Sequence, residues 1–360
     1  MSGADRRYRY VQLELTDSCN HNCSFCYNVW KEDHTYPRGH LTPQETLTLV
    51  SKIIDDTDCE YISLTGGEPL LREDIFKIIE AIASRQVKVI LITNGQLLSE
   101  DAVRRCLDAG LTSFEVSLHS HRAEAHDLLT AVPGSYEKAV SALACASNAG
   151  GHTATVFVAT STNVGDLPRT VELNALLRSR FVLFNRVSCG GEGLGGWDMM
   201  SPSPSRVRDA LAKSRTIAGR FKIGLGIGVQ IPPCLIRPSE MQGIALRFCP
   251  LNEPIKDHTY ITVDPQGNLR MCNRSKIILG NVLTDGPISR LMQTEPVREF
   301  STAVPAFCRG CPYERECAGG CRADAHSRWG SFYRLDPWIE RWKDQVLVPD
   351  TYEALPNASL

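Results

Sequence analysis

The sequence predicts an α/β fold, in which a partial barrel of six parallel βα units is followed by a small cysteine-rich domain. Three observations support this prediction. The first half of the chain alternates short β-branched runs with helical stretches, the last third has few long periodic elements, and 14 of the 360 residues are cysteine. Strand–helix alternation at this spacing favours parallel strands joined by right-handed crossovers.

Six apolar runs rich in β-branched and aromatic residues are the predicted strands. They cover residues 10–15, 60–65, 87–93, 113–118, 153–160 and 181–187. The first helix is predicted to begin at Thr42-Pro43, where Glu45 completes a capping box. Further helices are predicted over residues 72–84, 98–109, 135–149 and 166–178. Residues that follow the strands are expected on one face, because barrel enzymes carry their chemistry at the C-terminal ends of their strands.

A change of domain is predicted near residue 230. Before it lie a glycine-rich loop at 189–196, a helix ending near 219 and a loose alternating run, KIGLGIGVQI. Beyond it, YITVDPQGNLRMC predicts a hairpin that turns at residues 264–268. The predicted parts are residues 1–230, residues 231–345 and a tail at 346–360.

Composition narrows the classes of function. A formal net charge of −2 provides no basic surface for nucleic acid, which favours a small molecule or a peptide as partner. The first 15 residues are charged and then strand-like, and no later stretch is long and apolar enough to span a membrane. We therefore expect a cytoplasmic protein without a membrane partner. In that reducing compartment, many cysteines favour metal ligation or redox chemistry over disulfides.

Three cysteines follow the first predicted strand directly, with the spacing C-x3-C-x2-C. They are Cys19, Cys23 and Cys26. Three thiolates in a short loop can hold three irons of a four-iron cubane and leave the fourth iron without a protein ligand. A structural zinc site is the alternative, but such sites use four closed ligands, commonly in paired C-x2-C motifs. The spacing therefore favours an iron–sulfur cluster.

With these cysteines the sequence resembles the radical S-adenosylmethionine (SAM) superfamily, over about residues 8–330. Further matches follow predicted strands in order: GGEP at 66–69, TNG at 93–95, and the end of the fourth strand. Each alone could be an ordinary turn or strand end. The resemblance implies that Glu68 receives the SAM ammonium group and that the glycines allow close backbone approach. The implied SAM-binding residues are Phe25, Gly66, Gly67, Glu68, Pro69, Asn94, Ser117 and His119.

A second set of cysteines reads C-x17-G-x4-C and then C-x2-C-x5-C-x3-C. This resembles the SPASM extension of radical SAM enzymes, which carries auxiliary [4Fe-4S] clusters. The resemblance implies one cluster on Cys249, Cys272 and Cys321 with Cys234, and a second on Cys308, Cys311 and Cys317.

The sequence departs from the SPASM pattern because the family's last cysteine, after C-x3-C, has no counterpart. Candidate replacements are Asp324, His326 and Asp336, or the cluster keeps an open iron. Zinc at the C-x2-C-x5-C run also stays open as an alternative.

The remaining cysteines have simpler interpretations. Cys59, Cys106 and Cys145 are predicted to be small buried apolar residues. Cys189 ends the sixth predicted strand on the catalytic face, where it is either a packed side chain or a hydrogen-atom donor that would make the protein an epimerase. His21 and His34 are predicted to be solvated loop residues.

The resemblance implies an enzyme that cleaves SAM, because a redox sensor has no use for a ligand to the SAM amino group. It uses SAM, the SAM-binding [4Fe-4S] cluster, one or two auxiliary clusters and an external reductant of flavodoxin or ferredoxin type. Only 18 residues precede Cys19 and 39 follow Cys321, so no leader-peptide-binding domain is expected. The predicted substrate is therefore a small natural product (a sugar, a cyclitol or an amino-acid derivative) that is epimerised or dehydrogenated. Crosslinking or epimerisation of a ribosomally made peptide is the alternative.

Overall fold

The computed structural model describes residues 8–246, 248–251, 260–347 and 353. Within these residues, ten strands form one sheet. The strands are β1 (Tyr10–Thr16), β2 (Tyr61–Gly66), β3 (Lys88–Thr93), β4 (Ser113–Ser117), β5 (His152–Ala159), β6 (Phe181–Arg186), β7 (Gly224–Ile227), β8 (Tyr260–Val263), β9 (Asn268–Arg270) and β10 (Ile278–Asn281). The six strands predicted from the sequence are confirmed as β1 to β6.

The sheet has the order β10-β9-β8-β1-β2-β3-β4-β5-β6-β7. Strands β1 to β7 are parallel neighbours in chain order, so each βα unit adds one strand to the same edge. On the other edge, β8 runs parallel to β1 and continues into β9 and β10, which are antiparallel to their neighbours. The α/β fold class is confirmed, and the cysteine-rich part shares its sheet with the barrel strands. The domain limits at 230 and 345 stay a prediction.

The helices are α1 (Val29–Glu32), α2 (Pro43–Thr57), α3 (Ile75–Ala83), α4 (Glu100–Asp108), α5 (Ala123–Thr130), α6 (Ser135–Asn148), α7 (Leu167–Leu176), α8 (Gly193–Met200), α9 (Pro204–Phe221), α10 (Ile288–Leu291), α11 (Glu295–Thr302), α12 (Glu314–Cys317), α13 (Arg322–Trp329) and α14 (Pro337–Arg341). The predicted capping box at the start of α2 is present, with Thr42 and Glu45 bonded to each other's backbone N–H groups. No helix in the described part of the chain is both long and apolar enough to cross a membrane.

The elements that differ from the sequence prediction include β7, α5 and α8. The run KIGLGIGVQI contains β7, and α5 was not predicted at all. The loop predicted at 189–196 is wrong in its second half, because α8 begins at Gly193. Trp197 explains this helix: its side chain is buried, and its Nε1 donates to the carbonyl oxygen of Val187 at 3.3 Å. Tertiary burial of one large side chain outweighs the low helix propensity of the glycines.

The hairpin of β8 and β9 turns where it was predicted. One carboxylate oxygen of Asp264, Oδ1, accepts the backbone N–H groups of Gln266 at 2.9 Å and Asn268 at 2.8 Å. Its other oxygen accepts the Tyr36 hydroxyl at 2.8 Å, so the turn is also tied to the segment between α1 and α2. Apolar side chains of this hairpin and of β1 to β4 belong to one continuous core cluster.

The three cysteines assigned to packing are largely as predicted. Cys59 and Cys106 are buried, and Cys145 is half-buried. Cys59 and Cys106 belong to the same core cluster, and Cys145 packs against its edge.

Candidate functional site

The loop between β1 and α1, residues 17–28, is called the cysteine loop here. Its thiols lie close enough for their charges to interact, although Cys19 is exposed and Cys23 and Cys26 are half-buried. Burial raises the pKa of Cys23 to about 12, and the neighbouring Cys26 and Cys19 thiols contribute further. Several thiolates can be held together in such a place only if positive charge lies among them. This side-chain set fits an iron–sulfur cluster.

Two elements hold the cysteine loop. The backbone N–H groups of Asn22 and Ser24 donate to the carbonyl oxygens of Thr130 and Leu129, at 3.2 and 3.1 Å, at the end of α5. On the other side, the carbonyl oxygen of Cys26 accepts the N–H of Gly193 at 3.3 Å. Two helices that the sequence did not reveal, α5 and α8, therefore position the predicted cluster ligands.

The turn after β2, Gly66 to Pro69, lies directly against the cysteine loop. A Cβ atom on Gly66, whose φ is +119°, would lie 2.5 Å from the carbonyl oxygen of Thr16, and one on Gly67 would lie 1.9 Å from that of Ser18. The N–H groups of Gly67 and Glu68 donate to these two oxygens at 2.7 and 2.9 Å. The two glycines thus allow a close approach to the backbone at the end of β1 and at the start of the cysteine loop.

Glu68 is buried beside the cysteine loop, with 1% of its surface exposed. Its Oε1 accepts the Thr93 hydroxyl at 2.8 Å and the N–H of Leu70 at 3.1 Å, and its Oε2 accepts the N–H of Asn94 at 2.8 Å. Burial raises the pKa of Glu68 to about 6, and these bonds lower it in part. Neutral N–H and O–H donors orient the carboxylate, so it is positioned to bind a cationic ligand.

Asn94 connects the turn after β3 to the cysteine loop. Its Nδ2 donates to Oδ1 of Asn20 at 2.7 Å, while its backbone N–H serves Glu68. Thr93 and Asn20 were not singled out in the sequence. Thr93 belongs to the TNG motif, which was the signal available, whereas nothing marked Asn20.

Phe25 and His119 lie together at the end of β4. Their ring centroids are 4.6 Å apart in an edge-on arrangement, and both residues are buried. The Nδ1 of His119 accepts the N–H of Val158 at 3.2 Å, and burial lowers the pKa of His119 well below 6.5. The ring is therefore neutral at physiological pH. Ser117, two residues earlier, is half-buried at the end of the same strand.

The prediction for His21 is wrong, because only 6% of its surface is exposed. Burial lowers its pKa, and its charge would repel those of His119 and His126. The reason is the unpredicted helix α5, which carries His126 and covers the cysteine loop. His34 is exposed, as predicted.

Cys234, Cys308, Cys311 and Cys317 form the four-thiol group. They line one cavity of about 120 Å³, together with apolar side chains such as Phe307 and Ile339. Burial raises the pKa of Cys234, and the other three thiols raise it further. The resemblance had implied that Cys234 shares a cluster with Cys249, Cys272 and Cys321. In the structure Cys234, in the loop after β7, lies in the four-thiol group instead.

Cys249, Cys272 and Cys321 form the three-thiol group. The charges of Cys249 and Cys272 interact, and Nη1 of Arg274 donates to Sγ of Cys321 at 3.8 Å. The charge of Arg322 also interacts with those of all three thiols. The predicted trio thus lies beside two arginines that no sequence motif had marked.

The three residues considered as replacements for the missing cysteine have other partners. Asp336 accepts the N–H of Cys321 at 2.7 Å and pairs with Arg186, which also meets Asp324 at 3.3 Å. The ring of His326 stacks on Phe332 with a centroid distance of 4.6 Å. In the described residues, no three His, Cys, Asp or Glu side chains are arranged to hold a single metal ion.

Cys189 is fully buried just beyond β6. Burial raises the pKa of its thiol, and the charge of Asp324 adds to this effect. Two residues later, a Cβ atom on Gly191 would lie 2.3 Å from the carbonyl oxygen of Cys26. The segment that carries Cys189 therefore packs directly on the cysteine loop.

Residues 13–173 match the Radical SAM superfamily. The chain thus carries the sequence pattern of this superfamily over 161 of its 360 residues. It is 28% identical to the mycofactocin maturase MftC of Mycolicibacterium smegmatis, over 96% of this chain and 86% of the relative. It is 26% identical to the AdoMet-dependent heme synthase of Methanosarcina barkeri, over 92% of this chain and 95% of that protein.

A solved structure shares the fold. SuiB of Streptococcus suis, in a crystal structure bound to the precursor peptide SuiA, superposes with a TM-score of 0.73 at 14% identity, over 93% of this chain and 76% of SuiB. The predicted resemblance to SPASM-type radical SAM enzymes is confirmed, and with it the cofactors: SAM, a SAM-binding [4Fe-4S] cluster and auxiliary [4Fe-4S] clusters.

Proposed function

We propose that this radical SAM enzyme matures a ribosomally made peptide. The observation that carries the proposal is the similarity to a maturase over 96% of the chain. The fold it shares with SuiB, which was crystallised with a bound precursor peptide, adds support. A peptide, rather than a small natural product, is therefore the first candidate substrate.

The residues of the SAM site have separable roles in this proposal. Cys19, Cys23 and Cys26 hold the SAM-binding cluster, which when reduced supplies the electron that cleaves SAM to methionine and a 5′-deoxyadenosyl radical. Glu68 accepts the SAM ammonium group, and Thr93 and Asn94 keep its carboxylate in place through the bonds described above.

We expect Phe25, Ser117, His119 and Pro69 to border the bound SAM, as the family resemblance implies. The neutral ring of His119 and the apolar ring of Phe25 keep water away from the reacting carbon, as radical chemistry requires.

The auxiliary thiols complete the proposal. The four-thiol group holds one cluster through Cys234, Cys308, Cys311 and Cys317, and the three-thiol group holds another through Cys249, Cys272 and Cys321. Such clusters can accept the electron that a substrate radical gives up when the product is oxidised. An external flavodoxin or ferredoxin supplies electrons to the SAM-binding cluster, and we expect the protein in the cytoplasm.

The test uses anaerobically reconstituted protein, SAM, dithionite and the short peptides encoded beside its gene. We expect 5′-deoxyadenosine and a mass change in one peptide. Replacing Cys19, Cys23 and Cys26 together by alanine is expected to abolish both while the auxiliary iron stays. Full SAM cleavage by this variant would refute the ligand assignment, and cleavage without any peptide change would refute the substrate class.

A small metabolite is the second candidate substrate. The AdoMet-dependent heme synthase favours it, because this chain is similar to 95% of that protein's length. The same reaction run with extracts of the producing organism distinguishes the two: a metabolite of changed mass, with all peptides unchanged, would select this candidate.

A finer proposal concerns Cys189. Its segment packs on the cysteine loop, so its thiol could pass a hydrogen atom to a substrate radical and invert a stereocentre. The resulting thiyl radical would regain its thiol by taking one electron from an auxiliary cluster and one proton from water. Product formed in D2O is then expected to carry one non-exchangeable deuterium, and Cys189→Ala to consume SAM without inversion. Unchanged product from Cys189→Ala would assign this thiol to core packing alone.

A further inference from the structure

The side chain of Arg322 is buried at the start of α13, directly after Cys321. Only 2% of its surface is exposed, and its Cζ lies 4.7 Å from the centre of the Phe300 ring. Its Nη1 donates to the carbonyl oxygen of Ala303 at 3.2 Å. Its Nε and Nη2 have no hydrogen-bond partner within the described residues. Three N–H bonds of a buried cation thus lack an acceptor there.

Four cysteine side chains lie close enough to Arg322 for their charges to interact with it. They are Cys249, Cys272, Cys317 and Cys321, which include the whole three-thiol group and one member of the four-thiol group. A buried guanidinium with unpartnered N–H groups is stabilised when sulfur near it carries negative charge.

Two other buried arginines show how this chain normally treats such a group. Arg186 is paired with Asp336 and Asp324, and Arg270 is paired with Glu14. Leaving one member of a buried pair without its partner is strongly unfavourable. Within the described residues Arg322 has no carboxylate at salt-bridge distance, and the strongest charges that act on it are those of thiols.

We infer that Arg322 donates N–H···S hydrogen bonds to the auxiliary cluster of the three-thiol group and raises its reduction potential. This inference rests on the proposed function, which places a cluster there. Reduction adds one negative charge to a cluster, so a buried cation and N–H donors beside the sulfurs stabilise the reduced form. Arg322 would then help to set whether that cluster can accept an electron from the substrate.

The test is a potentiometric titration followed by electron paramagnetic resonance. It uses the full chain with Cys19, Cys23 and Cys26 replaced by alanine, so that only auxiliary clusters report. We expect Arg322→Met to lower one auxiliary midpoint enough that the ratio of reduced to oxidised cluster at fixed potential falls at least tenfold, which is 59 mV for one electron. Arg322→Lys keeps the charge but not the planar fork of donors, so we expect a smaller fall.

Arg315→Met is the matched control, because Arg315 is exposed on α12 and water screens its charge. Its midpoints are expected to stay at the parent values. Unchanged midpoints in Arg322→Met with unchanged iron would overturn the role of Arg322 alone. If Arg322→Met loses auxiliary iron, the midpoint of Arg322→Lys decides: a fall supports the inference, and a parent-like value overturns it. A parent without auxiliary iron would instead overturn the proposed function.

Discussion

Glu68 holds its proton more tightly in the folded chain than in water. Burial raises its pKa from 4.5 to about 6. Between these two pH values the unfolded chain loses the proton while the folded chain keeps it, so the free energy of unfolding decreases as pH rises through this window. Above pH 6 the fold carries a constant cost of about 2 kcal/mol. The ionised Glu68 side chain therefore lowers the stability of the fold, but it is available to bind a cationic group.

SAM binding should therefore depend on pH through Glu68. A bound ammonium group favours the ionised carboxylate, so SAM affinity is expected to weaken as pH falls below about 6, by up to tenfold per unit. At pH 7.5, Glu68→Gln is expected to bind SAM roughly 10- to 150-fold more weakly, because a charge-assisted hydrogen bond is lost. Calorimetry on anaerobic, cluster-loaded protein measures both effects.

Glu73→Gln is the control, since it removes an exposed carboxylate from the same segment. Its SAM affinity should match that of the parent at each pH. If Glu68→Gln kept both the affinity and the pH dependence of the parent, Glu68 would not be the ammonium ligand.

Functional residues that belong to a sequence motif were predicted from the sequence. Residues whose environment depends on burial by distant elements were not. Cysteine spacing and GGEP pointed to the cysteine loop and to Glu68 without any structure. His21 and Arg322 carry no such local signal. Their environments arise from α5 and from the thiol groups, which lie far away in the sequence.

At the scale of elements, the loop after β7 decides how the auxiliary thiols are grouped. It places Cys234 with Cys308, Cys311 and Cys317. Family spacing orders cysteines along the chain, but it cannot state which loop reaches which cavity. The chain lacks the last cysteine of the family pattern. The four-thiol group instead includes Cys234, which comes before the first cysteine of that pattern, Cys249.

This grouping predicts how iron is lost. In the background without Cys19, Cys23 and Cys26, two cubanes correspond to about eight irons per chain. We expect Cys234→Ala and Cys308→Ala each to lose about four, and the two together to lose no more, since both damage one cluster. Cys234→Ala combined with Cys249→Ala is expected to lose nearly all. Iron and sulfide analysis measures this.

Cys145→Ala serves as the control, because Cys145 lies on α6, whose contacts are with other barrel elements. It should keep the iron of the background. Additive losses in the pair Cys234 and Cys308 would contradict the grouping and return Cys234 to the three-thiol group.

Strand and helix periodicity predicted most elements of the barrel. It failed where burial, not pattern, decides the local conformation. The short helix α8 depends on the buried Trp197, and the glycines of β7 are required because Cβ atoms on Gly224 and Gly226 would lie 2.3 and 2.6 Å from the Phe181 ring. From the sequence alone, such glycines predict a loop and not a strand.

At the scale of the whole molecule, the cysteine-rich part is joined to the barrel by shared hydrogen bonds and buried charge. Strand β8 pairs with β1, and Arg270 on β9 is paired with Glu14 on β1. Towards the opposite edge, Arg186 of β6 is paired with Asp336 and Asp324. The fold class was predictable, but nothing in the sequence identified the strand beside β1.

The pairing of β1 with β8 also sets an order of events during synthesis. Tyr10 pairs with Tyr260, so β1 leaves the ribosome about 250 residues before its second neighbour exists. At 5–20 residues per second, this edge stays uncovered for roughly 12–50 s. An apolar strand with open N–H and C=O groups can pair with other chains during that time. Slower synthesis would prolong this exposure, so the yield of the intact protein depends on what protects the nascent edge until the last third of the chain arrives.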